Sequence, residues 1–186
     1  NGLTAYWALE EATGTRADSA PTGDPQDLTD NNTVTNVTGI IGNAAFFIPG
    51  NSEYLSHADS TNLSVQDIEF SVSAWVKVAA LSGNLTIASH YIQSTAHKSW
   101  RLWYDSSIGK FSFSVSNDGV TTTDVDAHIL GSPSTNVWYF LAAGHNSSGN
   151  IDTLIVGPGA VIAFSGADDP ITIDNVVEMH TGSRFW

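Results

Sequence analysis

Apolar and polar residues alternate with a period of two along much of this chain. In Ser71-Val72-Ser73-Ala74-Trp75-Val76-Lys77-Val78, the residues Val72, Ala74, Val76 and Val78 fall on one face, and Ser71, Ser73, Trp75 and Lys77 on the other. Phe111, Phe113 and Val115 alternate in the same way with Ser112, Ser114 and Ser116, and Ile171 and Ile173 with Thr172 and Asp174. Such a pattern predicts half-buried antiparallel strands, one face in the core and one in water. Further strands are predicted over residues 3–9, 44–48, 54–57, 85–91, 100–105, 137–144, 151–156 and 161–164. Turn signals separate them: Ser82-Gly83-Asn84, Ser107-Ile108-Gly109-Lys110, Asn117-Asp118-Gly119 and Gly157-Pro158-Gly159. Many short strands at this spacing point to an all-β sandwich or closed barrel. Residues 18–39, rich in Asp, Asn, Thr, Gly and Pro, read as a long loop. No internal repeat or second domain is visible, so residues 1–186 read as a single domain.

Composition narrows the function. Charged residues are 13% of the chain, well below the usual quarter or so, and Ser, Thr, Asn and Gly fill the surface instead. The balance is acidic, with 19 Asp and Glu against 6 Lys and Arg and a net charge of −13. Phosphate neutralisation needs clustered Lys and Arg, so nucleic acid is not an expected partner. An anionic membrane surface is disfavoured for the same reason, and no apolar run is long enough to insert into a bilayer as a helix. The acidic residues are mostly Asp, which favours turns, so the charge belongs between strands. Acidic loops suit a hard cation such as calcium; the plainer role of the charge is solubility. With no cysteine, disulfides, thiolate metal sites and cysteine nucleophiles are excluded. The chain opens Asn1-Gly2, which reads as a processed product or a piece of a longer protein.

Catalytic signatures are missing. There is no Gly-x-Ser-x-Gly elbow, phosphate-binding glycine loop or His-Glu-x-x-His pair. His57, His90, His97, His128, His145 and His180 stand at no metal-ligand spacing. Glu53 and Glu69 read as solvated turn residues. Sugar recognition draws on aromatic rings for the C–H faces and on Asp, Asn and Arg for the hydroxyls. The segment from His90-Tyr91 to Trp100-Arg101-Leu102-Trp103-Tyr104-Asp105 has that mixture. Alternation predicts a solvent-facing row of Arg101, Trp103 and Asp105, with His90 or Tyr91 beside it on a neighbouring strand. Trp75 is a further candidate, on a concave sheet face or under a loop. The alternative is that these rings fill the core or support loops.

Several segments stand in a distinctive order: Leu3-Thr4-Ala5-Tyr6-Trp7-Ala8-Leu9-Glu10-Glu11, Gly14-Thr15, Ala17-Asp18-Ser19, Gly39-Ile40-Ile41-Gly42-Asn43-Ala44 and Phe70-Ser71-Val72-Ser73-Ala74-Trp75-Val76-Lys77. Trp100-Arg101-Leu102, Gly109-Lys110-Phe111 and Trp138-Tyr139-Phe140-Leu141-Ala142-Ala143 follow. This order of segments resembles the laminin-G-like branch of the concanavalin A-like lectin/glucanase superfamily. The resemblance implies a two-sheet antiparallel jelly-roll β-sandwich and a non-catalytic carbohydrate-binding or adhesion module on an extracellular or virion surface. Its partner is then a glycan or a surface protein. The alternatives are a structural decoration or protein-interaction domain and, remotely, a divergent glycoside hydrolase. The superfamily's glucanases use Glu-x-Asp-x-x-Glu on one strand, and no glutamate here begins that pattern. Calcium is the implied cofactor, at Asp18 by its match to the Asp-Ser motif and at Asp24 and Asp27 in the same loop. Where relatives often carry Phe-Asp-Gly, this chain has Phe47-Ile48-Pro49-Gly50. Relatives also continue past a segment like Gly182-Ser183-Arg184-Phe185-Trp186 into one more strand that pairs near the first. An open edge beside residues 3–9 is therefore expected, to be completed by a neighbouring chain or a further segment.

Overall fold

The period-two segments become strands wherever β-branched and aromatic residues supply a face to bury. A computed structural model describes residues 2–65, 68–92, 97–147, 151–158 and 163–166 of the chain. Its strands are β1 (Thr29–Asn31), β2 (Thr35–Thr38), β3 (Asn43–Phe46), β4 (Tyr54–Ser56), β5 (Phe70–Lys77) and β6 (Leu85–Ile92). They continue with β7 (His97–Asp105), β8 (Lys110–Val115), β9 (Thr123–Asp126), β10 (Trp138–Asn146), β11 (Ile151–Pro158) and β12 (Ala163–Gly166). There is no α-helix among the described residues. The predicted strand containing Ile171 and Ile173 lies outside them, as does Trp186. The described residues group into two compact units, one running to Leu63 and including Ser73–Trp75, the other holding Ser64–Val72 and the chain from Val76 onward.

Two four-stranded sheets, ordered β12-β11-β10-β5 and β6-β7-β8-β9, make up most of the second unit, to which β5 contributes its two ends, Phe70–Val72 and Val76–Lys77. Consecutive strands from β6 to β9 and from β10 to β12 pair antiparallel. Leu102, Tyr104, Phe111, Phe113 and Val125 from one sheet are buried, as are Tyr139, Leu141 and Ala143 from the other. The sheets meet through these rings: Phe111 stands edge-on to Tyr139 at 5.5 Å, Phe70 edge-on to Phe113 at 6.1 Å, and Phe70 lies 5.8 Å from Trp100. This is a two-sheet β-sandwich. Each buried phenylalanine contributes about 1.5–3 kcal/mol of transfer free energy to holding the sheets together.

The outer face of β8 corrects the simple alternation. Ser112 and Ser114 were expected in water, yet both are 0% exposed. Neighbouring strands satisfy them in place: Trp103 Nε1 donates to Ser114 Oγ at 2.8 Å, and Ser112 Oγ donates to Asp126 Oδ1 at 2.7 Å. A serine is small enough for its neighbours' longer side chains to close over it, and its hydroxyl then needs a partner.

The first unit departs further from expectation. Residues 3–9 form no strand; they meet the loop through an isolated bridge, Trp7 to Asp18, and through hydrogen bonds from the Tyr6 amide to Asp18, from Ser19 N to the Tyr6 carbonyl and from Trp7 Nε1 to the Gln26 carbonyl. The predicted loop over residues 18–39 instead contains β1 and β2, which pair antiparallel with β4 and β3. Arg16 explains the difference. Its side chain is 0% exposed, donates to the carbonyls of Gly14 and Val34, and stands 3.9 Å from the Asp30 carboxylate. Side-chain bonds to the backbone order this region where a long ladder does not, and they leave no sequence periodicity.

Candidate functional site

Pairing register decides which side chains share the outer face of the β6-β7-β8-β9 sheet. Arg101 stands opposite Ser89 on β6 and Ser114 on β8, and Ser114 stands opposite Asp124 on β9. One step along, Thr86, Trp103, Ser112 and Asp126 form the next row. The centre of this face is ring-lined. The Arg101 guanidinium lies 3.5 Å from the centre of the Trp103 ring and 4.7 Å from that of Tyr91. A guanidinium is planar and weakly hydrated, so it lies on aromatic faces where an ammonium would stay in water.

This arrangement corrects the predicted solvent-facing row. Trp103 is only 6% exposed, because Arg101 covers its ring and Ser114 holds its indole N–H. Arg101 and Tyr91, both half-buried, are the accessible groups. Of the two β6 candidates, Tyr91 belongs to this face and His90 does not. His90 pairs with Trp100, whose ring stands 5.8 Å from that of Phe70 on the facing sheet, so alternation carries His90 to the side opposite Arg101. The register shifts between Thr86 and Ala88 and again between His90 and Tyr91. Bulges of this kind re-aim side chains.

Asp105 ends the row and is committed to the β7–β8 turn. Its Oδ1 accepts from Ser107 N at 2.8 Å and Ser107 Oγ at 2.6 Å, while its carbonyl accepts from the Gly109 amide at 2.8 Å. Gly109 sits at φ +69°, a left-handed conformation that a side chain would strain. Trp75 lies on β5, in the other sheet, and groups with the first unit; it is not part of this cluster. Asp124, which sequence reasoning passed over, is exposed and stands in the Arg101 row. Its signal was the alternation Asp124-Val125-Asp126.

Burial holds the Arg101 guanidinium below its ordinary range, opposed by the charges of Tyr91, Asp124 and Asp105. Its buried Nε has no hydrogen-bond partner among the described residues. Nor does a carboxylate come within ion-pair distance of Arg101 among those residues. The result is a pinned donor fork with carboxylates nearby but not bonded to it.

The acidic loop does not fit a calcium ion. Asp18 Oδ1 accepts from the Tyr6 and Ala20 amides at 2.7 and 2.8 Å, and Oδ2 from Gln26 N at 2.9 Å. Asp27 Oδ1 accepts from Asp18 N at 2.8 Å, and Asp24 Oδ2 from Asn62 Nδ2 at 2.7 Å. Among the described residues no three acidic or histidine side chains converge as a metal site would require. Asp18 and Asp27 tie the loop to backbone N–H groups and Asp24 ties it to the Asn62 side chain, uses that compete for the same lone pairs.

A family model described as the concanavalin A-like lectin/glucanases superfamily, laminin G type, matches residues 49–156, more than half of the chain. No curated protein and no solved structure matches it.

Proposed function

The chain belongs to the laminin G-like family of the concanavalin A-like lectin/glucanase superfamily, and from that premise we propose that it is a carbohydrate-binding module of a larger extracellular or virion-surface protein. The family supports a lectin-like or adhesion module in general terms; its domains are generally non-catalytic and often occur in extracellular proteins. The observation behind the sharper reading is Arg101, stacked against the Tyr91 and Trp103 rings on a polar sheet face, with Asp124 two strands away in the same row. Hydroxyl recognition needs donors and acceptors fixed before the ligand arrives, since each side chain immobilised on binding costs about 0.5–1.5 kcal/mol. Stacking on Trp103 has already fixed Arg101. Tyr91, half-buried at the edge, offers an aromatic surface to a sugar's C–H face.

A glycan array probed with the intact chain tests this reading. Saturable binding that disappears in Arg101→Ala, with an unchanged circular dichroism spectrum, supports it; silence on the array from folded protein refutes it. The runner-up, a protein-interaction or structural decoration domain, then becomes the better reading. It draws on a different observation: residues 31–52 hold no charge, and Ile40, Ile41, Phe46 and Phe47 are exposed there.

A further inference from the structure

Sugars differ most sharply, to a binding face, in whether they bring a negative charge. Register places Arg101 and Lys110 on the polar face of the β6–β9 sheet, against Asp105, Asp124 and Asp126. Lys110 is turned toward His128, its Nζ 3.2 Å from the ring Nδ1. Lys98 also reaches the Tyr91 ring, its Nζ 5.9 Å from the ring centre, but it is held by the Val120 carbonyl at 2.6 Å, so among the described residues Arg101 is the cation left facing this row of carboxylates, in a chain whose net charge is −13. A uronic acid arriving at Arg101 meets Asp124 on the same row, and like charges close together in a partly desolvated setting repel strongly. A pair of neighbouring hydroxyls meets the opposite situation. A hydroxyl both donates and accepts, so one group can accept from the guanidinium edge while the next donates to the carboxylate. Arg101 and Asp124 stand on strands two apart, about 10 Å between backbones, with only Ser114 between them, so both can reach one ligand.

We infer that this face takes neutral, hydroxyl-rich glycans in preference to acidic ones, with Arg101 donating and Asp124 accepting at adjacent hydroxyls. The inference rests on the carbohydrate-binding reading and names its ligand class. Charge-assisted bonds on both sides orient the ligand, and Asp124 supplies the discrimination against carboxylates.

The test is calorimetric titration of the intact chain with neutral hexasaccharides of glucose, mannose and xylose, and with hexasaccharides of glucuronic and galacturonic acid. At least one neutral probe is expected to bind, with both uronates weaker by roughly tenfold or more. Arg101→Gln is expected to weaken the neutral probe. Asp124→Asn, at an exposed position, is expected to weaken it less while narrowing the gap to the uronates severalfold. Uronates that bind as tightly as neutral sugars overturn the inference and leave the carbohydrate-binding reading standing. Neutral binding indifferent to both variants overturns it as well. Silence with every probe from folded protein overturns both.

Discussion

The indole N–H of Trp103 donates to the hydroxyl of Ser114 on the neighbouring strand, at 2.8 Å and out of contact with water. That bond sets the plane of the ring on which Arg101 lies. Ser114 thereby governs the site without reaching its surface. Ser114→Ala is expected to leave a buried N–H unsatisfied and to lower stability by about 1–3 kcal/mol. A urea midpoint at lower concentration with an unchanged slope, and a shift in tryptophan emission, are the expected readouts; an unchanged midpoint would show the bond to be dispensable.

Trp103→Ala is expected to cost about 3–5 kcal/mol, the usual range for emptying a large aromatic site. It is therefore a poor probe of binding. Arg101→Ala removes a stacked, half-buried cation and is expected to cost about 1 kcal/mol. Paired denaturation curves for the two variants check the contrast; similar losses would mean that Arg101 is as structural as the ring beneath it.

The N-terminal unit depends on Arg16. Arg16→Ala removes a buried guanidinium and the buried hydrogen bonds it makes, and is expected to cost about 1–3 kcal/mol. It frees the carbonyls of Gly14 and Val34. Limited proteolysis is expected to cut within residues 10–40 of the variant while wild type resists; equal resistance would count against this role.

Two carboxylates make stability depend on acid. Burial works to raise the Asp30 pKa, but the Val34 and Gly14 amides, the Arg16 charge and a Thr33 backbone bond together leave it lowered. Asp118 is held well below the usual carboxylate range by the Thr121 and Val120 amides and the Thr121 hydroxyl. A depressed folded pKa stabilises the fold fully above the unfolded value of about 3.9 and loses that contribution as pH falls through the folded value. The wild-type urea midpoint is thus expected to drop below pH 4. Asp30→Asn is expected to be less stable at neutral pH and to fall less steeply with acid. Carboxyl NMR is expected to show Asp118 still ionised at pH 3.

For the acidic loop, a chelator is expected to leave the melting temperature where it was. Asp18→Ala is expected to cost about 1–3 kcal/mol by orphaning backbone amides. A melting temperature that rises with added calcium would restore the cation reading.

Strand identity was legible where alternation ran long. Val72 to Val78 and Phe111 to Val115 announced β5 and β8 because one face was apolar throughout. The strands β1, β2 and β9 escaped because they are almost wholly polar, Thr-Asp-Asn, Thr-Asn-Val-Thr and Thr-Asp-Val-Asp, whereas the equally short β3 and β4 carry apolar residues that show. Arg16 escaped for another reason: a lone arginine in a polar stretch reads as solvated, and only its bonds to distant carbonyls reveal that it is buried. At the site, period two placed Arg101 and Trp103 on one face correctly, but it could not say what lies above a face. The stacking of Arg101 turned an expected open ring into a covered one. Choosing Tyr91 over His90 needed the pairing register, which the sequence does not encode locally.

Among the described residues β6 is the outermost strand of its sheet, and its two register irregularities bear on what can pair beside it. An outermost strand offers unpaired amides and carbonyls on which a foreign segment can extend the sheet, the route to fibrils and to strand exchange. In β6 the regular stretch between the shifts is only residues 88–90. A visiting strand would find its register broken after three positions. Growth by backbone templating is thereby discouraged on this side, and a stable encounter with this sheet has to be made through its side chains.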